Sequence, residues 1–164
     1  MEASVEAAVL LVLGLSIVLI GYYLVIPSME EKQKEALYIQ ARNIALEIQG
    51  AIESVAFSGR GARVTISLSL PSQISIIAGT GAYQDRAVDV VLYNPPVVAG
   101  GVELSRGSVT SVVQEPAGST LKISVRALSG WQIVMRGLVP SGSQVSMTVT
   151  NEGGKVISLT AGGV

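Results

Sequence analysis

The chain has 164 residues, of which 49% are apolar and only 14% charged, with a formal net charge of −1. It contains no cysteine and no histidine, which excludes disulfides and removes the commonest general base and metal ligand near neutral pH. The basic residues form no stripe, so we expect no nucleic-acid partner. These features predict a protein that is not an enzyme and needs no metal or other cofactor.

The first predicted element is an apolar helix. Residues 7–26 have Ser16 as their one hydrophilic member, and no charged residue lies between Glu6 and Glu30. Twenty helical residues span about 30 Å, the thickness of a bilayer's hydrocarbon core. Because apolar side chains cover every face, the helix needs an apolar environment on all sides, in lipid or among similar helices.

The residues before this helix disfavour a cleaved secretory signal peptide. Such a peptide begins with basic residues, whereas Glu2 and Glu6 are acidic and the first basic residue is Lys32. One hypothesis is that a basic leader has been removed from a precursor. The other is that Met1 is the initiator, in which case there was no leader.

Beyond Pro27 the helix is predicted to continue with one apolar face. Glu30 and Lys34 have the i, i+4 spacing of a favourable ion pair. Glycines at 59 and 61 predict a helix end after Phe57, so a helix over 4–57 would be about 80 Å long. Spacings of three and four residues define the stripe expected to dock on the rest of the chain: Leu37, Ala41, Ile44, Ile48, Ile52 and Val55.

From residue 62 onward the apolar residues alternate with polar ones, which predicts half-buried strands. Turn-forming Gly, Pro and Asn residues separate eight such strands: 64–70, 73–78, 86–93, 108–114, 121–126, 131–137, 145–149 and 155–161. The predicted fold class is α+β, with a long N-terminal helix and an all-β sandwich or barrel as the head. The predicted units are the helix, residues 1–58, and the head, residues 59–164. Within the helix, residues 1–28 are the apolar segment and residues 29–58 the amphipathic segment.

Few head residues suggest chemistry. Asp85, Asp89 and Glu103 are the one acidic cluster from which a glycosidase pair or a calcium site could be built, but ordinary turn and surface positions explain them better. Trp131, the single tryptophan, is expected to fill the head's core or its seam with the helix.

The order of apolar helix, amphipathic continuation and all-β head resembles archaeal type IV pilins and archaellins. The resemblance is carried by residues 5–26 and by the stripe from Leu37 to Val55. It implies a leader cut by a dedicated peptidase, residence in the cytoplasmic membrane, and export by an assembly machinery into a homopolymeric filament on the cell surface. The filament would have a central bundle of apolar helices and an outer sheath of immunoglobulin-like heads.

The residues of the apolar helix themselves suggest further roles. Glu6 would either face water or pair with a neighbour's α-amino group in the filament core. Gly14 and Gly21 would allow close helix approach, or are simply the glycines that are common in membrane helices. The residues assigned to packing in the helix bundle are Val9, Leu10, Leu13, Gly14, Ile17, Leu19, Ile20, Gly21 and Leu24.

Three hypotheses follow. The first is a structural filament subunit serving adhesion or motility. The second is a single-span accessory protein of the same kind of machine, whose head binds a filament or surface layer. The third, a membrane-tethered enzyme or ligand-binding domain, requires a concave polar site that the sequence does not display.

Overall fold

The computed structural model describes residues 2–98, 100–137, 139 and 141–163, apart from the side chains of Glu2, Ala3, Ser4 and Glu6. Helix α1 runs without interruption from Glu2 to Phe57 and includes Pro27. The next residue's backbone N–H and hydroxyl both donate to the carbonyl of Ser54, and Gly59 then takes a φ of +90°. Because glycine adopts this conformation without steric cost, the predicted helix end is confirmed.

A β-sandwich follows the helix, and the predicted fold class is confirmed. A short 3-10 helix, Gly81–Tyr83, precedes its third strand. The described residues form nine strands: β1 Arg63–Ser69, β2 Ile74–Ala78, β3 Ala87–Tyr93, β4 Val102–Arg106, β5 Thr110–Ala117, β6 Thr120–Ala127, β7 Gln132–Arg136, β8 Gln144–Gly153 and β9 Val156–Gly163.

The strands form two sheets. The four-stranded sheet has the order β1-β8-β9-β7, and the five-stranded sheet the order β2-β3-β6-β5-β4. Neighbouring strands are antiparallel except for β7 and β9, which are parallel. In β8 the inward Val145, Met147 and Val149 are buried between more exposed neighbours, which is the predicted alternation.

Two local predictions were wrong. Strand β4 was missed because it is short, lies at a sheet edge and contains a register shift between Glu103 and Ser105, so little alternation remains to detect. Pro116 is among the prolines that predict a turn after residue 114, but it lies in β5. A proline tolerates this position because the neighbouring edge strand ends its pairing at Gln114, and no ladder bond needs the missing N–H.

The amphipathic half of α1 completes the core of the head. It packs against β1 and β8 of one sheet and against β3, β5 and β6 of the other, while the two sheets contact each other mainly through β7. Ala41, Ile48, Ile52 and Val55 are fully buried in the same hydrophobic cluster as the inward residues of the strands. Helix and sheets therefore share one core.

Truncation of a stripe residue is expected to destabilise the whole head. Ile52→Ala removes a fully buried side chain and should lower the free energy of unfolding by about 2–5 kcal/mol. Ile39, 55% exposed on the same helix, provides the matched control, since Ile39→Ala should cost less than about 1 kcal/mol. Guanidinium unfolding in detergent, followed by Trp131 fluorescence, measures both. Equal effects would contradict a shared core.

Candidate assembly surface

Residues 7–26 of α1, here called the rod, are apolar on every side, and the rest of the chain leaves them uncovered. None of its most apolar 18-residue stretch is buried, and by length and composition α1 is the one helix of the described residues that could cross a membrane. The seven large side chains predicted to pack in a bundle are each at least 51% exposed. The structure thus places these residues on an open surface, and their packing against a sister helix stays a prediction.

The serine in the rod and the serine just after it bond to their own helix. Ser16 Oγ donates to the carbonyl of Val12 at 2.8 Å, and Ser28 Oγ donates to the carbonyl of Val25 at the same distance. The rings of Tyr22 and Tyr23 meet edge to face with centroids 6.2 Å apart. An unpaired hydroxyl is costly in an apolar medium, so the two serine bonds suit this stretch to lipid or to a helix bundle.

Polar clamps join the docked half of α1 to both sheets. Gln40 Nε2 donates to the carbonyl of Ser69 on β1 at 3.2 Å. On the other sheet, the hydroxyl of Tyr38 donates to Gln114 Oε1 at 2.7 Å. Buried Gln49 adds a longer bond to the carbonyl of Thr110. These directional bonds fix the rotation of the helix between the sheets, which apolar packing alone leaves loosely defined.

Glu53 makes the most extensive clamp. Its carboxylate accepts the backbone N–H groups of Ser108, Val109 and Thr110 at 2.8–3.3 Å and the hydroxyl of Thr110 at 2.7 Å. A Cβ on Gly107 would overlap this carboxylate, so glycine is needed there for close approach. Helix α1 is thereby tied to the turn between β4 and β5. The sequence placed Glu53 off the docking stripe and gave no sign of this role.

Asn151 caps the C-terminal end of α1 from the other sheet. It is 5% exposed, and its Nδ2 donates to the carbonyls of Val55 and Ala56 at 3.2 and 3.5 Å. The terminal carbonyls of a helix lack intrahelical partners, and the cap satisfies them. The residue lies at a register shift between β8 and β9, and such irregularities often re-aim a side chain.

The acidic residues singled out in the head do not come together. Asp89 on β3 is buried and lies 3.5 Å from the ammonium of Lys122. Glu103 lies on edge strand β4, with β5 and β6 between it and β3, and is paired with Arg106 at 3.9 Å. Asp85 is exposed in the turn before β3 with a φ of +60°. The described residues contain no group of three acidic side chains placed to hold a metal ion.

Two further residues carried predictions from the sequence. Trp131 is half-buried against the hydrophobic core. The side chain of Glu6 lies outside the described residues, so its charge pairing stays a prediction. No protein-family model, curated protein or solved structure matches the chain.

Removal of the Glu53 charge is expected to loosen the helix from the head. In Glu53→Gln one amide oxygen must replace a carboxylate that accepts four donors, so the free energy of unfolding should fall by about 1–3 kcal/mol. Glu47→Gln, at an exposed site on the same helix, should change it by less than about 0.5 kcal/mol. Trp131 fluorescence during guanidinium unfolding gives both values.

A double-mutant cycle tests the link to Gly107. Gly107→Ala displaces the Glu53 carboxylate from its donors, so it should destabilise the head through the same lost bonds. The loss of unfolding free energy in the double variant with Glu53→Gln should therefore be smaller than the sum of the two single losses. Full additivity of the two free-energy changes would show that Gly107 serves some other purpose.

Proposed function

We propose that this chain is the structural subunit of an extracellular filament of the type IV pilus kind, and that it polymerises through the N-terminal half of α1. The observation that carries the proposal is an apolar rod, open on every side, joined by an unbroken helix to a head whose core that helix completes.

The size of the rod excludes exposure to water. A helix about 30 Å long and about 10 Å wide presents roughly 900 Å² of lateral surface, and burying such an area is worth roughly 20 kcal/mol. The stability of a whole domain is only about 5–15 kcal/mol. An environment outside the chain must therefore cover the rod, and lipid and sister helices are the available kinds.

The rigid connection favours sister helices as the final environment. A membrane anchor needs about twenty apolar residues and no fixed orientation of the domain that it tethers. Here the same helix continues into the head, where it is held by apolar packing and by clamps from both sheets. A fixed angle between rod and head is useful when each copy must occupy an equivalent place in a helical polymer.

The second candidate is a single-span accessory protein that stays in the membrane. One observation favours it: the length of the apolar segment, twenty residues between 7 and 26, matches the bilayer core without excess. In that case the purified protein remains a monomer or dimer in detergent, and the rod contacts lipid only.

Electron microscopy of sheared cell-surface material, with N-terminal sequencing of the main subunit, separates the two candidates. Long fibres built mainly from this chain are expected. Material that stays dispersed, with residues 7–26 embedded in bilayer, would reject the polymer. For the purified chain, removal of detergent followed by ultracentrifugation gives the pelleted fraction directly.

A charge in the rod is expected to prevent assembly. Ile17 is 69% exposed, so Ile17→Glu leaves the head intact but places a carboxylate where each neighbour presents apolar surface. The pelleted fraction should fall at least tenfold. Val97→Glu is the matched control, because Val97 is a fully exposed apolar residue of the head. Polymerisation of Ile17→Glu at the wild-type level would contradict a buried rod.

A further inference from the structure

The outer face of the four-stranded sheet carries a polar groove that no intramolecular contact fills. Its volume is about 410 Å³, and its lining consists of Arg63, Arg136, Ser146, Thr148, Thr150, Glu152, Ser158, Thr160 and Gly162. Six of these are hydroxyl or carboxylate residues and none is a large apolar residue, so the groove suits a polar, charged partner.

The groove carries three charges, the two arginines and the carboxylate of Glu152, and so has a net charge of +1. The hydroxyls and the carboxylate are partly satisfied, since Ser158 Oγ donates to Glu152 Oε1 at 2.6 Å and the hydroxyl of Thr148 bonds that of Thr65 at 3.2 Å. Arg63 and Arg136 are exposed. Neither joins an ion pair within the described residues.

A second set of uncommitted charges lies on residues 28–36 of α1, here called the neck, between the rod and the head. The neck carries Glu30, Glu31, Lys32, Lys34 and Glu35. None of them forms an ion pair with another described residue. The predicted ion pair between Glu30 and Lys34 was therefore wrong. An exposed ion pair adds little stability, so these two side chains need not meet. A helix that is polar all round without such pairs lacks a source of stability.

Geometry and charge make the neck of one copy fit the groove of another. Glu31 and Glu35 share a helix face. Because an α-helix turns by about 100° per residue, this face points away from the docking stripe that begins at Leu37. The arginines lie on the edge strands β1 and β7, three strand spacings or roughly 14 Å apart across the sheet. Glu31 and Glu35 are about 6 Å apart along the helix axis, so a neck that crosses the strands with this face towards the sheet brings each glutamate near one arginine. Residues 1–58 hold seven acidic and three basic residues, and residues 59–164 hold five and eight, so the two units differ in the sign of their charge.

We propose that the groove on the four-stranded sheet binds the neck of a neighbouring copy, with Arg63 and Arg136 facing Glu31 and Glu35. This inference rests on the proposed polymer but concerns a different surface. The rod supplies apolar burial, and the groove–neck contact sets the rise and the rotation between successive copies.

A charge exchange tests the contact in the full chain. Arg63→Glu with Arg136→Glu, and separately Glu31→Arg with Glu35→Arg, should each lower the pelleted fraction at least fivefold after detergent removal. The four substitutions together should restore it to within twofold of wild type. Arg106→Glu, on edge strand β4 of the other sheet, is the charge-reversal control and should have no effect.

A cross-linking measurement does not depend on polymerisation. Because the chain has no cysteine, mixing Glu35→Cys protein with Thr148→Cys protein in mild detergent and oxidising it should give disulfide-linked heterodimers. High salt should reduce their yield, because it screens exposed charges. Arg106→Cys, on edge strand β4 of the other sheet, replaces Thr148→Cys in the control and should not cross-link.

The outcomes separate the two proposals. If wild type does not polymerise but the heterodimer forms in a salt-sensitive way, the contact stands and the polymer falls. If wild type polymerises while both reversed pairs pellet normally, the contact falls and the polymer stands. If arginine reversal weakens assembly and the exchange does not restore it, the groove binds some other anion and the inference is overturned. Absence of both polymer and heterodimer overturns both.

Discussion

Ile48 and Ile52 of α1 lie between the two sheets and are as completely buried as the inward residues of the strands. The sheets touch each other mainly along β7, so without the helix the rest of the sandwich interior would open to water. The head is consequently incomplete as a set of strands. The same burial fixes the helix, because the free energy that stabilises the head is lost if the helix leaves.

The exposed rod is a consequence of this arrangement. An unbroken α-helix cannot return its N-terminal half to a core that its C-terminal half already fills. Glu30 and Lys34 still line a cleft with Gln73, Tyr93 and Asn94 of the head, and the apolar residues from Ile26 back to Ala7 lie beyond it. Their burial must come from outside the chain. The helix thus completes the core of the head, but it leaves an apolar surface that the surroundings must bury.

Much of this was readable from the sequence, and the reason is periodicity. The all-round apolar segment, the stripe from Leu37 to Val55 and the alternation in β8 each repeat one signal over many residues. The clamps of Glu53 and Asn151 could not be read, because each depends on which distant backbone groups the fold brings to a single side chain. A glutamate off the stripe looks like a solvated charge until the turn after β4 presents three N–H groups to it.

Apolar and polar surfaces make different contributions in the proposed filament. Apolar burial is large but non-directional, so a smooth rod whose serines bond their own helix can slide and rotate against a sister rod at little cost. Charged and hydrogen-bonding groups have the opposite character, since they add modest affinity but fix register and orientation. A subunit that must leave lipid and then adopt one helical position needs both. In the proposed filament the apolar rod would supply the burial, while the polar neck and the sheet face of the head would set the register.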